Sequence, residues 1–396
     1  MKLLGLVWSN LTRNKLRTIL TMLSVFVALF LFCALRSVVT TLNATIEVGS
    51  EQRLVTRNKV SLVFPLPMAH LERIRAIPGV SVVSWSNWFG ALDPANERDF
   101  FAQFAVDAPT YFPMYATDFE IVEASPALAG APVPAGVEPK LAAFLNERTA
   151  CVVGAGLMKR KGWKLGQTIH LNGTIYPGDW PFTIRAVYRP KVRALDDATV
   201  FFHWDYLYEN SNRQAAVGIF NLQLSDPSQA AAIAKTVDAT FENSSSPTRT
   251  ETERAFQAGF VSMLGNVPFV INFVGLAVAF SIFLVAIVTM MMAIRERTNE
   301  SGVLKTLGFE DGTLFRLVMI EAAIITLTGG IAGALTAKLV LESSGFALPG
   351  FPPLFVRWGT VALGVGVAAL MGIVSGLLPA WQTSKLRIVD ALRRVA

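Results

Sequence analysis

The side chains that most often carry chemistry are few in this chain and widely separated. The sequence contains two cysteines, Cys33 and Cys151, and three histidines, His70, His170 and His203. A structural zinc site needs four ligands at recurring short spacings, and these five residues have no such spacing. We therefore predict no metal site, and we expect each histidine to be an ordinary surface or strand residue.

Motifs for nucleophilic or nucleotide chemistry are also missing from the sequence. It has no G-x-S-x-G elbow and no H-E-x-x-H pattern, which mark serine hydrolases and zinc proteases. Residues 154–162 contain glycines and lysines, but not in the order of a G-x-x-x-x-G-K-[ST] phosphate loop. We expect no catalytic residue and no cofactor in this chain, and we expect that it does not hydrolyse ATP by itself.

The composition indicates an integral membrane protein. Of 396 residues, 52% are hydrophobic and only 16% are charged, and the mean hydropathy is +0.45, values that soluble domains rarely reach. The apolar runs lie near the two ends of the chain and leave a polar middle at residues 41–262. Cys33 falls inside an apolar run and Cys151 in the polar middle, so we expect no disulfide within one chain.

The first apolar run, residues 18–35, contains no charged residue and follows a basic segment. A cleaved signal peptide has the same arrangement. However, Arg36 follows directly where a small-x-small cleavage site would be needed, and Phe32 precedes Cys33 where a lipoprotein signal needs a small residue. We therefore interpret this run as a retained transmembrane helix.

Three more spans are predicted at about residues 267–293, 317–341 and 358–378. The second span has a length of about 40 Å at 1.5 Å per residue, against a hydrocarbon core of about 30 Å, so it should tilt or project. The last three spans are rich in small residues, namely Gly329, Gly330, Gly333, Gly364, Gly366, Gly372 and Gly376. Small residues let helices approach closely, and both a packed bundle and a dimer contact are compatible with them.

The distribution of Lys and Arg predicts the orientation. Three segments flanking the spans are basic, and we place all of them in the cytoplasm: Lys2, Arg13, Lys15 and Arg17; Arg295, Arg297, Lys305 and Arg316; and Lys385, Arg387, Arg393 and Arg394. Both termini are then cytoplasmic and the polar middle lies outside. Since topology accounts for the net charge of +6, membrane lipid is the expected partner of these charges and nucleic acid is not.

The polar middle alternates short β-rich runs with helical stretches, which is typical of an α+β domain. We predict a strand at 59–64, a helix at 68–77 and a strand at 80–85, then a similar trio beginning with a strand at 217–224 and a helix at 228–241. These two β-α pieces flank an insert at about 107–209. The insert contains strands around Cys151, His170, residues 182–187 and residues 199–202.

The charged elbow between the second and third spans is the focus of the functional prediction. Residues 298–307 are too polar to span a membrane and long enough for two to three helical turns, with Val303, Leu304 and Leu307 on one side and Glu300 and Lys305 exposed. Gly308 should end this helix, and Glu310 and Asp311 should begin the next one, where the helix dipole favours negative charge. The sequence pattern alone is equally compatible with a helix that docks in a groove of a partner and with a plain cytoplasmic loop.

Glu321 is an ionisable residue within a predicted span and therefore a candidate functional site. It lies near the cytoplasmic end of the third span, within reach of Arg316 or of a basic residue of the first helix. No second acidic group accompanies it, so we favour a structural ion pair over a transport or proton site. Lys338, near the outer end, should snorkel.

Several stretches resemble the MacB/FtsX-type ABC transporter permease family. The signature lies at residues 295–321, with ArgGluArgThrAsnGlu followed by GlyValLeuLysThrLeuGlyPhe and Glu321. Residues 8–21 are similar to the opening amphipathic helix and first span of the family, and residues 376–393 resemble its end. In the polar middle, residues 77–80 and 166–173 resemble the periplasmic core domain of the family. The matches occur in the expected order and cover both membrane parts.

The resemblance implies an α-helical membrane protein with four transmembrane helices, arranged 1+3, and a large α+β periplasmic domain inserted between the first and second. We expect domains at residues 1–40, 41–262 and 263–396, in a bacterial inner membrane. ATPase coupling is implied for Arg295, Glu296, Arg297, Thr298, Glu300, Val303, Leu304, Lys305, Leu307 and Gly308. Nucleotide-driven closure of two cytoplasmic ATPase subunits, which hold ATP and Mg²⁺, would move the elbow and the periplasmic domain of each permease.

Because the sequence starts at the amphipathic helix, we expect the ATPase to be a separate chain. The second permease copy is either identical or related, and a periplasmic adaptor and an outer-membrane partner are further candidates. The expected function is export or release of a periplasmic or membrane substrate. The alternatives are an FtsX-like scaffold that activates a periplasmic cell-wall hydrolase and a Lol-like lipoprotein-releasing permease.

Overall fold

The computed structural model describes residues 2–126, 133–134, 136–212, 216–263, 265–296, 298–346 and 352–385, without the side chains of residues 2–4, 8, 10, 11, 290, 293–296 and 298–301. The described residues form two compact units. The helical unit takes those within Met1–Thr40, Asn266–Phe346 and Leu354–Ala396, and the α+β unit takes those within Thr41–Gly265 and Ala347–Pro353.

The helices in chain order are α1 Lys2–Arg13, α2 Lys15–Val48, α3 His70–Arg75, α4 Ala108–Met114, α5 Ala142–Asn146, α6 Ala155–Lys161, α7 Trp204–Asn210, α8 Ala230–Phe241, α9 Glu253–Met263, α10 Val267–Glu296, α11 Thr298–Thr306, α12 Asp311–Ser344 and α13 Trp358–Ser384. Short 3₁₀ helices lie at Pro139–Leu141 and Pro227–Gln229.

The strands are β1 Arg53–Asn58, β2 Val80–Trp88, β3 Ala91–Leu92, β4 Gln103–Val106, β5 Phe119–Ala124, β6 Ala150–Gly154, β7 Thr168–Gly173, β8 Gly178–Pro190, β9 Val200–His203, β10 Ile219–Leu224 and β11 Thr248–Thr252. They form one sheet in the order β11-β1-β10-β2-β4-β9-β6-β8-β7-β3, with β5 also paired to β8. The β4–β9 and β6–β8 pairs are parallel, and the other strand pairs of the described sheet are antiparallel.

Four described helices are long and apolar enough to cross a membrane, in agreement with the four predicted runs: Lys15–Val48, Val267–Thr289, Asp311–Ser344 and Trp358–Ser384. The first helix is longer than the apolar run at 18–35. Its 34 residues correspond to about 51 Å, whereas only about 30 Å is needed to cross the hydrocarbon core. The apolar run therefore marked only part of this helix.

Glycines hold α12 against α2 and α13 within the helical unit. A Cβ at Gly329 would lie 2.7 Å from the carbonyl oxygen of Met22, and one at Gly333 would lie 2.4 Å from that of Phe26. On the α13 side, a Cβ at Gly372 would lie 2.4 Å from Oγ1 of Thr326. The packed-bundle interpretation of these glycines is confirmed, since each lets two helix backbones approach more closely than any larger residue allows.

Both faces of the sheet are covered where the apolar runs of the insert lie. In β9, Phe202 belongs to one core cluster with Phe89 and Phe182, whereas its neighbour Phe201 belongs to a second cluster with Phe144. Adjacent side chains of a strand point to opposite faces, so a continuous apolar run indicates a strand buried on both sides. The predicted strands at β6, β7, β8 and β9 are confirmed, as are β2, β10 and α8.

The predicted strand at residues 59–64 is wrong, because this segment is a loop. Val60 and Val63 are 72% and 87% exposed, and the strand lies earlier, at β1. The Asn58 side chain accepts a hydrogen bond from the backbone N–H of Val60 at 2.9 Å, which closes a turn directly after β1. Because β1 has charged residues at inward positions, its sequence lacks the apolar alternation that predicts a strand.

Candidate functional site

The elbow contains the predicted short helix and a well-defined end. α11 covers residues 298–306, and Gly308 follows with a φ of +91°. The N–H of Gly308 bonds to the carbonyl of Lys305 at 3.1 Å, and the N–H of Phe309 bonds to that of Leu304 at 3.1 Å. These two bonds form a Schellman motif. The predicted C-terminal role of Gly308 is therefore confirmed, and the chain leaves α11 in a fixed direction.

The end of α11 exposes apolar side chains. Leu307 is 71% exposed and Val303 is 47% exposed, and the two lie four residues apart on one helical face, while Leu304 is half-buried. Among the predicted coupling residues, Arg297 lies outside the described residues. The side chains of Arg295, Glu296, Thr298 and Glu300 are also outside the description, although their backbones belong to α10 and α11.

Lys305 is not exposed as predicted; its side chain is only 10% exposed. Its ammonium group lies 2.7 Å from Oδ1 of Asp311 and donates a hydrogen bond to the carbonyl oxygen of Ser384 at 2.7 Å. Asp311 begins α12 and Ser384 ends α13. Lys305 therefore connects α11 to two long helices, because the ammonium group compensates a carboxylate and an otherwise unsatisfied helix-end carbonyl.

Gly308→Ala is expected to destabilise the elbow by about 1 kcal/mol or more, because a positive φ is costly for a residue with a Cβ. Gly312→Ala is the matched control. Gly312 lies in α12 and a Cβ there meets nothing within 4 Å, so alanine should be neutral or stabilising. Limited proteolysis at the elbow of both variants in detergent measures the difference. Equal protection of the two variants would contradict the role given to Gly308.

Glu321 is buried in α12, with 8% of its surface exposed. The helix contributes Leu317, Ala322 and Ile325 to a cluster that also contains Val7 of α1. Glu321 therefore belongs to the part of α12 on which α1, which includes the basic residues Lys2 and Arg13, packs. The structural ion pair proposed for Glu321 stays a prediction.

A buried charge network that sequence reasoning missed lies in the α+β unit. Arg53 begins β1 and is 5% exposed. Its Nε donates to Oε2 of Glu253 at 2.8 Å, and its Nη2 donates to Oδ2 of Asp118 at 2.5 Å. Nη1 donates to the carbonyl oxygen of Met114 at 3.4 Å, and the guanidinium carbon lies 4.4 Å from the centre of the Tyr115 ring. One side chain thus joins β1, the α4–β5 connection and α9.

The three histidines have separate surroundings. The His70 ring packs against the tilted ring of Phe241 at a centroid distance of 4.0 Å, and His70 is a buried residue of α3 and not a surface or strand residue. His203 bonds to a backbone carbonyl at 2.7 Å, and His170 lies beside Asp179 on the surface. Burial lowers the pKa of His70 and of His203. The described part of the chain contains no group of three His, Cys, Asp or Glu side chains able to hold a metal ion.

Family models match most of the chain. Residues 18–240 match the model described as a MacB-like periplasmic core domain, and residues 272–388 match the model described as an FtsX-like permease C-terminal domain. The first match covers the first long helix and most of the α+β unit. The second covers α11, its Schellman turn and the two long helices connected by Lys305.

Individual relatives match over shorter segments. An uncharacterized ABC transporter permease, YknZ of Bacillus subtilis, is 35% identical over 108 residues, which is 26% of each protein. A macrolide export ATP-binding/permease protein, MacB of Agrobacterium fabrum, is 31% identical over 105 residues, which is 26% of this chain and 16% of the relative. The periplasmic region of MacB from Actinobacillus actinomycetemcomitans aligns with 54% of this chain and 95% of that structure at 7% identity, with a TM-score of 0.39.

Proposed function

Because this chain belongs to the MacB/FtsX-type ABC transporter permease family, we propose that it is the membrane subunit of a transporter that works by mechanotransmission. A separate cytoplasmic ATPase subunit binds ATP and Mg²⁺ and moves α11, and this chain carries no catalytic step. The motion passes to the α+β domain, which exports or releases a periplasmic or membrane substrate. The apolar surface at Val303 and Leu307 is the observation that carries this proposal.

The contacts of α11 support its role as the receiver of force. A docking helix needs an exposed apolar face for its partner, which Leu307 and Val303 provide. It also needs a rigid connection to the helices that it moves. The Schellman turn at Gly308 fixes the exit to α12, and Lys305 holds the ends of α12 and α13 together. A displacement of α11 therefore moves both helices and does not dissipate in a loop.

The proposed topology follows from the charge distribution and the helix lengths. The four long helices cross a bacterial inner membrane in a 1+3 arrangement, and the basic segments keep both termini and α11 in the cytoplasm. The α+β unit then lies in the periplasm. A second permease copy completes the transporter, and an adaptor and an outer-membrane protein are further partners. Co-purification from native membranes identifies the ATPase and distinguishes these partners from a cell-wall hydrolase.

Leu307→Glu is expected to weaken binding of the co-purifying ATPase about 10- to 100-fold. A charge replaces an apolar side chain that becomes buried on docking, and burial of a leucine contributes about 1.5 to 3 kcal/mol. ATPase activity of the reconstituted complex should then lose its dependence on the permease. Val63→Glu is the control, since Val63 is equally apolar and 87% exposed but lies in the α+β unit. Equal ATPase binding by Leu307→Glu and wild-type protein would refute the docking role.

A further inference from the structure

A cavity of about 260 Å³ lies within the α+β unit. Its floor is the face of the sheet formed by β1, β10 and β2, and its opposite side includes the first turns of α9. Glu253, Phe256 and Gln257 of α9 line it, and their spacing of three and four residues places them on one helical face. Arg53 and its two carboxylate partners form one wall. The cavity thus lies beside the buried charge network.

The floor of this cavity holds polar side chains without hydrogen-bond partners. Asn221 of β10 and Ser86 of β2 line it and are only 2% and 4% exposed. Within the described residues, neither side chain pairs with another side chain of the protein, and both line the cavity, where an occupant can reach them. Ser84, paired with Asn221 in the sheet register, has a buried hydroxyl that is also unpartnered. Buried polar groups are almost always hydrogen-bonded, so these groups are expected to bind something that enters the cavity.

The charges around the cavity are unbalanced. Among its described lining residues, three have carboxylates, namely Asp118, Asp196 and Glu253, and one has a guanidinium group, that of Arg53. Arg53 already pairs with Asp118 and Glu253, so it offers little attraction to an anion. The carboxylate of Asp196 accepts hydrogen bonds from Oγ1 of Thr199 and from the backbone N–H of Ala198, and Arg53, whose ion pairs are with the other two carboxylates, does not neutralise it. The cavity therefore favours a cation.

The remaining walls are aromatic. They are formed by Phe104, Tyr111, Tyr115, Phe119, Tyr188 and Phe201. Aromatic faces accept both apolar groups and cations, and neutral acceptors such as a Ser hydroxyl or an Asn carbonyl orient an ammonium group. The volume lies just below the range of about 300 to 1,000 Å³ that drug-sized ligands need. The occupant must accordingly be small.

We propose that this cavity binds a small organic cation with an apolar body. Its ammonium group donates hydrogen bonds to Ser86 and Asn221 and compensates the excess of carboxylates, while its apolar body packs against the aromatic walls. The occupant also contacts α9 and the sheet together. The proposal concerns binding alone and does not depend on the coupling role of α11.

Isothermal titration of the full chain in lipid nanodiscs, with empty nanodiscs subtracted, tests the charge preference. The probes are 2-phenylethylammonium, its neutral analogue 2-phenylethanol and the anion 3-phenylpropionate, which have similar shape and opposite or no charge. We expect the cation to bind at least about 10-fold more tightly than the alcohol, and the anion to bind least. Equal affinities, or strongest binding of the anion, would overturn the proposal.

Variants locate the binding site. Ser86→Ala combined with Asn221→Leu should weaken binding of 2-phenylethylammonium at least about 10-fold, with no loss of thermal stability because no internal hydrogen bond is removed. Ser375→Ala is the matched control, since Ser375 also has a buried, unpartnered hydroxyl but lies in α13. Unchanged binding in the double variant would overturn the proposal, because the cation would then bind outside this cavity, and weakened binding in the control would also place the site elsewhere.

Discussion

Replacing Arg53 by methionine is expected to lower the free energy of unfolding of the α+β unit by about 3 to 5 kcal/mol. The substitution leaves the carboxylates of Asp118 and Glu253 without the charge that now lies within 2.7 Å of both. Their side chains are only 15% and 11% exposed, so water replaces the lost partner poorly. Denaturant unfolding of the full chain in detergent, followed by tryptophan fluorescence, measures the change.

Two further variants separate the charge effect from loss of side-chain volume. Arg148→Met removes an arginine that also pairs with two carboxylates, Asp205 and Glu209, but all three side chains are more than half exposed. Its cost should stay below about 1 kcal/mol. The triple variant Arg53→Met, Asp118→Leu, Glu253→Leu should recover much of the lost stability, because apolar replacement of a whole buried ion network is often neutral. If the triple variant were less stable than Arg53→Met alone, unpaired charge could not be the cause.

Gly333→Val is expected to disrupt the helical unit, with a loss of at least about 3 kcal/mol, the upper end of the usual range for overpacking. Even a Cβ at this position lies 2.4 Å from the backbone oxygen of Phe26, and a backbone atom cannot rotate away as a side chain can. The helices α2 and α12 must therefore separate. Thermal unfolding in detergent, followed by size-exclusion chromatography, should show a clearly lowered melting temperature.

Gly366→Val provides the comparison for Gly333. It lies in the apolar helix α13, and a Cβ there meets nothing within 4 Å. Valine should be tolerated at this position, since it also has a higher helix propensity than glycine. If Gly333→Val had the same melting temperature as the wild-type protein, the packing of α2 on α12 would not depend on this close approach.

The sequence predicted the parts of this protein whose signals are local. Three of the four long helices follow from uncharged apolar runs and α12 follows from an apolar run that contains only Glu321 and Lys338 as charged residues, and the end of α11 follows from one glycine that precedes an acidic helix start. The strands of the insert are equally predictable from the sequence, since a run such as that around Cys151 is apolar on both faces. In each case the residues that determine the element lie within it.

The failures arise where distant residues decide the structure. β1 was missed because Arg53 looks polar, and it becomes a core residue only through Asp118 and Glu253, which lie 65 and 200 residues further along the chain. Lys305 was expected to be exposed because its partners, the start of α12 and the end of α13, meet only in the fold. Conversely, the apolar residues 60–64 resemble a strand but lie in a loop. Local pattern cannot distinguish these cases.

The two ends of the main segment of the α+β unit lie side by side, and this has a structural consequence. A Cβ at Gly49 would lie 2.6 Å from the Cα of Arg254, and the entering strand β1 pairs with the departing strand β11. The 204 intervening residues thus begin and end at one point, as expected of an inserted domain. A domain inserted in this way can be replaced by another domain without changing the helices that precede and follow it in the chain.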